Sequence, residues 1–163
     1  MWAAPRIDWS RLPRRAAVTL FDSKTGKLVN GGTVVVEGDK IKAVGAQGAP
    51  ANAKVIDLGD ATLLPGFIDA HTHITSEMHD DFYKDFHTEM YRFPSEVTLD
   101  AAVYAKRTLE AGFTTIRNVG AGEFVDVGLR NAINRKVTPG PTILTAVHSI
   151  GSTGGHCDQG PFP

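Results

Sequence analysis

The sequence contains one cysteine, Cys157, in 163 residues. A single thiol cannot form an internal disulfide or supply the thiolates of a structural zinc site. No apolar run reaches the roughly 18 residues of a membrane-spanning helix, and residues 1–15 lack the apolar core of a secretory signal. We therefore expect a cytoplasmic protein. A periplasmic or secreted location is the alternative, because a removed signal peptide would leave the same start.

An excess of charge is also absent, since 17 Lys and Arg residues face 18 Asp and Glu residues, for a net charge of −1. This balance gives no electrostatic reason to expect a nucleic acid or a membrane as a partner. The hydrophobic content of 42% is typical of a soluble globular chain with about one domain. The six histidines are therefore the main resource for binding a metal ion.

The first half of the chain has the pattern of a small β-sheet. Short apolar segments predict four strands, at residues 18–21, 33–37, 40–44 and 54–58. Gly38-Asp39 between two of them is a strong hairpin signal. We assign residues 1–15 to an N-terminal arm and residues 16–62 to a partial β-sandwich domain.

From residue 63 onward the pattern becomes strand, helix, strand, helix, strand. A buried strand is predicted at residues 67–70, and a helix is predicted to begin with Thr98 as its N-cap and to close at Gly112. A strand at 113–119, a helix at 124–136 and a strand at 142–147 follow. This order is typical of an α/β fold with a parallel sheet. Three such units predict the N-terminal part of a (β/α)8 TIM-like barrel, which needs eight units and about 250 residues.

Two histidines, His71 and His73, stand at the end of the predicted buried strand. Side chains alternate along a strand, so both imidazoles should point to the same side and bind one divalent metal ion. Asp69 shares their parity and is a candidate carboxylate for orienting a metal-binding histidine. The alternative is a packed or surface histidine pair, because a bare His-x-His pair also arises by chance.

Residues 64–73 (LPGFIDAHTH) resemble the first barrel strand of the amidohydrolase superfamily. Residues 31–59 are similar to its N-terminal sandwich strands, and residues 111–118 (AGFTTIRN) are similar to its second barrel strand. The glycine-rich segment 151–156 (GSTGGH) resembles the branch of imidazolonepropionase-like and prolidase-like enzymes. The resemblance covers nearly everything from about Ala16 onward.

This resemblance implies a metal-dependent hydrolase of carbon–nitrogen bonds that uses one or two divalent ions, with zinc as the expected metal. The implied substrates are small amides, such as dipeptides and N-acyl amino acids. Only His71 and His73 match ligand positions of the family, whose other ligands come from later strands. We therefore expect the 163 residues to be an inactive N-terminal fragment. It would be completed by the remainder of the barrel or a complementing chain, and the complete protein would form a homo-oligomer.

Three further residues are candidates for substrate binding. His148 follows the third barrel strand, His156 lies in the glycine-rich loop, and Arg117 lies near the end of the second strand. A structural role is the alternative for each of them. A Cys157–His156 nucleophile is disfavoured, because adjacent loop residues seldom point together and no third group orients them.

Two other functions remain open. The chain could be a non-catalytic binding or assembly module derived from an amidohydrolase, with a partner covering its open barrel edge. A deaminase or cyclic-amide hydrolase on the same scaffold would differ only in substrate.

Overall fold

The computed structural model describes residues 18–45, 53–77, 79–155 and 157. The chain divides into two compact units, Met1–Pro65 and Gly66–Pro163. The boundary lies three residues after the one expected from the sequence, and the predicted arm at 1–15 lies outside the described residues. Among these residues no helix is long and apolar enough to cross a membrane. The elements, in chain order, are β1 (Val18–Asp22), β2 (Lys27–Glu37), β3 (Lys40–Gly45), β4 (Thr62–Leu63), β5 (Phe67–Thr72), α1 (Phe82–Met90), α2 (Pro94–Glu110), β6 (Phe113–Asn118), α3 (Val125–Asn134) and β7 (Thr142–Thr145).

The described part of the first unit forms a four-stranded sheet in the order β3-β2-β1-β4. The predicted hairpin joins β2 and β3, with Glu37 opposite Lys40. Gly38 adopts φ 64° in this turn, a left-handed conformation that glycine enters without steric cost. β1 pairs antiparallel with β2 and parallel with β4.

The predicted strand at 54–58 is wrong. The residues there have no strand structure, and Oδ1 of Asp57 accepts a hydrogen bond from the N–H of Gly59 at 2.8 Å. This bond closes a local turn of the kind that aspartate favours over a sheet ladder. The fourth strand is instead β4, which begins after Ala61 accepts a bond from the N–H of Thr19 at 3.3 Å.

The second unit contains a parallel sheet in the order β5-β6-β7. Helix α2 lies between β5 and β6 in the chain, and α3 lies between β6 and β7. The predicted strands and helices after residue 112 agree with β6, α3 and β7 to within two residues. The hydrophobic core consists of the buried residues Ile74, Ala101, Ala105, Ile116, Leu129 and Ile143. This βα arrangement after a small sheet confirms the predicted fold class.

Helix α2 begins one turn earlier than predicted. Pro94 occupies its first turn, and Oε2 of Glu96 accepts a hydrogen bond from the N–H of Phe93 at 2.8 Å. Thr98 is therefore not the N-cap, and its hydroxyl instead donates to the carbonyl of Pro94 at 2.7 Å. Proline suits the first helical position because its missing N–H would have no partner there.

Strand β5 is less buried than its sequence predicts. Phe67 is 47% exposed and Ile68 is 71% exposed. The reason is that β5 lies at the edge of the three-stranded sheet, where β6 is the one strand that pairs with it among the described residues of its unit. Its apolar sequence is that of a strand buried on both faces, a typical feature of parallel sheets.

Candidate functional site

His71 and His73 lie together at the carboxyl end of β5. Their ring centroids are 5.6 Å apart and their planes are inclined by 68°. Both side chains are exposed. The structure therefore brings together the two imidazoles that the sequence singled out, and their binding of a metal stays a prediction.

The neighbouring strand holds β5 in place as far as Thr72. Thr72 Oγ1 donates to the carbonyl of Arg117 at 3.1 Å, and the Thr72 carbonyl accepts from the N–H of Val119 at 3.0 Å. The two strands are paired up to Thr72 and Asn118. His73 therefore comes directly after the last fixed residue of β5, at the strand end where the active sites of β/α barrels lie.

The side chain of Asp69 contacts the backbone of His71. Its Oδ1 accepts a hydrogen bond from the N–H of His71 at 3.0 Å. Among the described residues it makes no hydrogen bond to either imidazole. The expected role of Asp69 in orienting a histidine ring stays a prediction, whereas its contact with the His71 backbone is shown.

Arg117 ties the same two strands together. Its Nε donates to the carbonyl of Ala70 at 2.6 Å. Arg117 is exposed, and its guanidinium carries further N–H donors besides Nε. Substrate binding by Arg117 stays a prediction beside this structural contact.

His148 contacts the loop at the start of α3. Its ring centroid lies 5.2 Å from that of Phe124, with the planes at 79°. Val147 before it has φ 67° and Phe124 has φ 55°. Left-handed conformations in such residues are strained, and strain of this kind concentrates at functional sites. His156, the other predicted loop histidine, lies outside the described residues.

A buried polar pair lies beneath the site, and the sequence pattern does not indicate that its two members meet. Asn118 and Asp126 have no exposed surface, and Nδ2 of Asn118 donates to Oδ2 of Asp126 at 3.1 Å. Oδ1 of Asp126 has no hydrogen-bond partner in the described part of the chain. The sequence signal for this pair is an amide at the end of a strand and an aspartate in the first turn of the next helix.

A cavity of about 290 Å³ opens beside His73. It is near the lower bound of small-molecule sites, which measure roughly 300–1,000 Å³. Arg92 in its wall forms an ion pair with Asp100, and backbone from Gly120 to Gly122 forms another part of the wall. The cavity therefore places a metal-ligand candidate beside a space for a small ligand.

Imidazole nitrogen fits the donor preference of zinc, but two imidazoles are fewer than the three protein ligands of a catalytic zinc site. Within residues 18–45, 53–77, 79–155 and 157, no three His, Cys, Asp or Glu side chains lie close enough to hold one metal ion. His71 and His73 therefore fit a metal as two of its ligands.

The model of the amidohydrolase family matches residues 62–159, a stretch that contains both histidines and the whole parallel sheet. The chain belongs to the amidohydrolase family. This confirms the resemblance found in residues 64–73.

Curated relatives of this amidohydrolase include deaminases. It is 30% identical to 5'-deoxyadenosine deaminase of Methanosarcina barkeri over 118 residues, which are 70% of this chain and 27% of that protein. It is 48% identical to adenine deaminase of Edwardsiella ictaluri over 56 residues, which are 31% of this chain and 10% of that protein.

Similar solved structures include a Xaa-Pro dipeptidase with methionine bound in its active site, at a TM-score of 0.72 and 30% identity. The match covers 87% of this chain and 34% of the dipeptidase. A second amidohydrolase has a TM-score of 0.73 and 28% identity over 88% of this chain and 33% of its own. The present chain thus spans about a third of these structures and about a quarter of the first deaminase.

Proposed function

We propose that the complete protein is a metal-dependent hydrolase of carbon–nitrogen bonds in small amides. The observation that carries this proposal is the His71–His73 pair at the carboxyl end of β5 in a member of the amidohydrolase family. Imidazole nitrogens can bind a divalent ion, and zinc is the ion we expect because it favours nitrogen ligands. A bound ion would polarise the substrate carbonyl and lower the pKa of a water molecule.

In this proposal the residues of this chain hold the metal-binding imidazoles in place and bind the substrate. β5 presents the two imidazoles, and Asp69 fixes the backbone that carries His71. The cavity beside His73 receives part of the substrate. Arg117 lies near the end of β6 and His148 follows β7, and we propose that they and His156 contact the substrate.

We propose a dipeptide or an N-acyl amino acid as the substrate. The similarity to the Xaa-Pro dipeptidase, which extends over 87% of the chain, supports this class. Removal of an amino group from a purine compound is the second candidate, and the two similar deaminases support it. Both reactions cleave a carbon–nitrogen bond.

We further propose that these 163 residues need additional chain to catalyse a reaction. They supply two expected metal ligands where a catalytic zinc site uses three, and the matched part of the chain covers only about a third of the similar solved structures. The missing ligands would come from the remainder of the barrel or from a complementing chain, and we propose a homo-oligomer for the complete protein.

The test is an activity screen on the complete protein loaded with zinc. Cleavage of Xaa-Pro dipeptides and N-acyl amino acids is assayed by measuring the free amino acid that is released. Deamination of adenine and 5'-deoxyadenosine is assayed by measuring the ammonia that is released. We expect amide cleavage that stops after chelation and returns when zinc is restored.

Three outcomes would change the proposal. Ammonia release without amide cleavage would favour the deaminase. Turnover that persists after verified metal removal would contradict the metal-dependent mechanism. Tight self-association with no turnover on either substrate class would favour a non-catalytic module.

A further inference from the structure

The amide of Asn118 uses its hydrogen-bonding atoms within a fully buried site at the end of β6. Its Oδ1 accepts from the N–H of Ile74 at 2.8 Å. Its Nδ2 donates to the carbonyl of Gly120 and to Oδ2 of Asp126, both at 3.1 Å. One side chain thus connects three separate segments of the second unit.

Two of these segments bracket His73. Ile74 follows His73 directly in the chain, so its bond to Asn118 fixes the backbone that carries the imidazole. Gly120 approaches the ring from the neighbouring loop, because a Cβ on Gly120 would lie 3.8 Å from Cε1 of His73 and would collide with Oγ of Ser149. Asn118 therefore holds both the chain that carries the ring and the backbone beside it.

The backbone partners of the Asn118 amide determine which way it faces. The N–H of Ile74 only donates and the carbonyl of Gly120 only accepts, so Oδ1 lies against Ile74 and Nδ2 lies against Gly120 and Asp126. The other oxygen of Asp126 is buried without a partner among the described residues. A buried unpaired oxygen destabilises a fold, so packing alone gives no reason for an aspartate here.

We propose that Asn118 and Asp126 are a pair of positioning residues that hold His73 in its metal-binding orientation. The inference rests on the proposed function, because it takes His73 as a metal ligand. Neighbouring groups that orient a ligand typically change metal affinity by about 10- to 100-fold when they are replaced.

The test exchanges the donor and the acceptor of the pair in the complete protein. Asn118→Asp removes both donations and places a second carboxylate against Asp126. The double variant Asn118→Asp/Asp126→Asn restores one bond in the opposite sense, since the new amide at 126 can donate to the new carboxylate. Zinc affinity is measured by competition with a chromophoric chelator, and exchange of the Ile74 amide hydrogen is measured by NMR.

In Asn118→Asp the new carboxylate lies against the Gly120 carbonyl and the Asp126 carboxylate, and this repulsion should move the side chain away from Ile74. We therefore expect zinc binding weakened by about 10- to 100-fold and faster exchange of the Ile74 amide. The double variant should recover part of both losses, because its side chains at 118 and 126 are bonded again while the Gly120 carbonyl still lacks its donor. The control is Leu129→Ala, which creates a cavity in the same core and should lower the Tm without changing zinc affinity.

Two results would overturn the inference while the proposed function stands. One is an unchanged zinc affinity in Asn118→Asp with a Tm lowered as in Leu129→Ala, which would mark a purely structural residue. The other is a loss of zinc affinity that is just as large in the double variant as in Asn118→Asp. If the wild-type protein binds no zinc, the proposed function fails and the inference fails with it.

Discussion

At the scale of single residues, the described histidines have different environments. The rings of His71 and His73 lie side by side at a strand end. His79, which precedes α1, instead contacts the carboxylate of Asp85 in that helix. The ring of His87 lies 5.0 Å from that of Tyr91, measured between centroids. The paired position of His71 and His73 follows from strand alternation and was predictable from the sequence. The Asn118–Asp126 pair was not predictable in the same way, because it depends on how β6 and α3 pack.

Asp85 gives a prediction of acid sensitivity. Its Oδ2 accepts from the backbone N–H of His79 at 2.7 Å and its Oδ1 lies 2.9 Å from Nδ1 of that ring. The backbone bond first, and then the ring contact, lower the pKa of the Asp85 carboxyl below its ordinary value. A lowered folded-state pKa stabilises the fold above the pKa of the unfolded chain, about 3.9, and this stabilisation is lost as the pH falls through the folded value.

We therefore expect Asp85→Asn to lower the Tm at pH 7 and to reduce the further fall of the Tm between pH 5 and low pH. The measurement is thermal unfolding across this range. The control is Asp80→Asn, which removes an exposed carboxylate nearby. Identical pH profiles for wild type and Asp85→Asn would contradict the account of Asp85.

At the scale of elements, the sequence pattern located the strands and helices of the second unit better than those of the first. The core residues of α2 and α3 recur at helical spacing, so the existence of both helices was predictable. The prediction of a strand at 54–58 was wrong because the side chain of Asp57 accepts a hydrogen bond that closes a turn there. The start of α2 was misplaced because a proline and a glutamate, rather than Thr98, satisfy the first turn.

The start of α2 is itself testable. Glu96→Ala leaves the N–H of Phe93 without its side-chain acceptor and removes a negative charge near the helix N-terminus. We expect a loss of about 1 kcal/mol in the free energy of unfolding, measured by urea denaturation. Glu110→Ala is the matched control, since it removes an exposed glutamate at the other end, 3.7 Å from Lys106. Equal losses in the two variants would show that the Phe93 contact contributes nothing.

At the scale of the whole molecule, the second unit combines a small core with large apolar side chains that remain exposed. Ile68 on β5, Phe82 and Tyr83 on α1 and Leu144 on β7 are examples. A buried-strand sequence in an exposed edge strand is consistent with the proposal that further β/α units, or a partner chain, cover it in the complete protein. The burial of β5 could not be predicted correctly, because it depends on a neighbour rather than on the strand's own pattern.

The proposed function depends on the binding of a divalent metal ion by His71 and His73. The most direct test is the metal content per chain of the complete protein, measured by inductively coupled plasma mass spectrometry for wild type, for His71→Ala/His73→Ala and for the control His87→Ala. We predict at least one zinc ion per chain in wild type and control, and a metal content near zero in the double variant. An unchanged metal content in the double variant would show that His71 and His73 are not metal ligands.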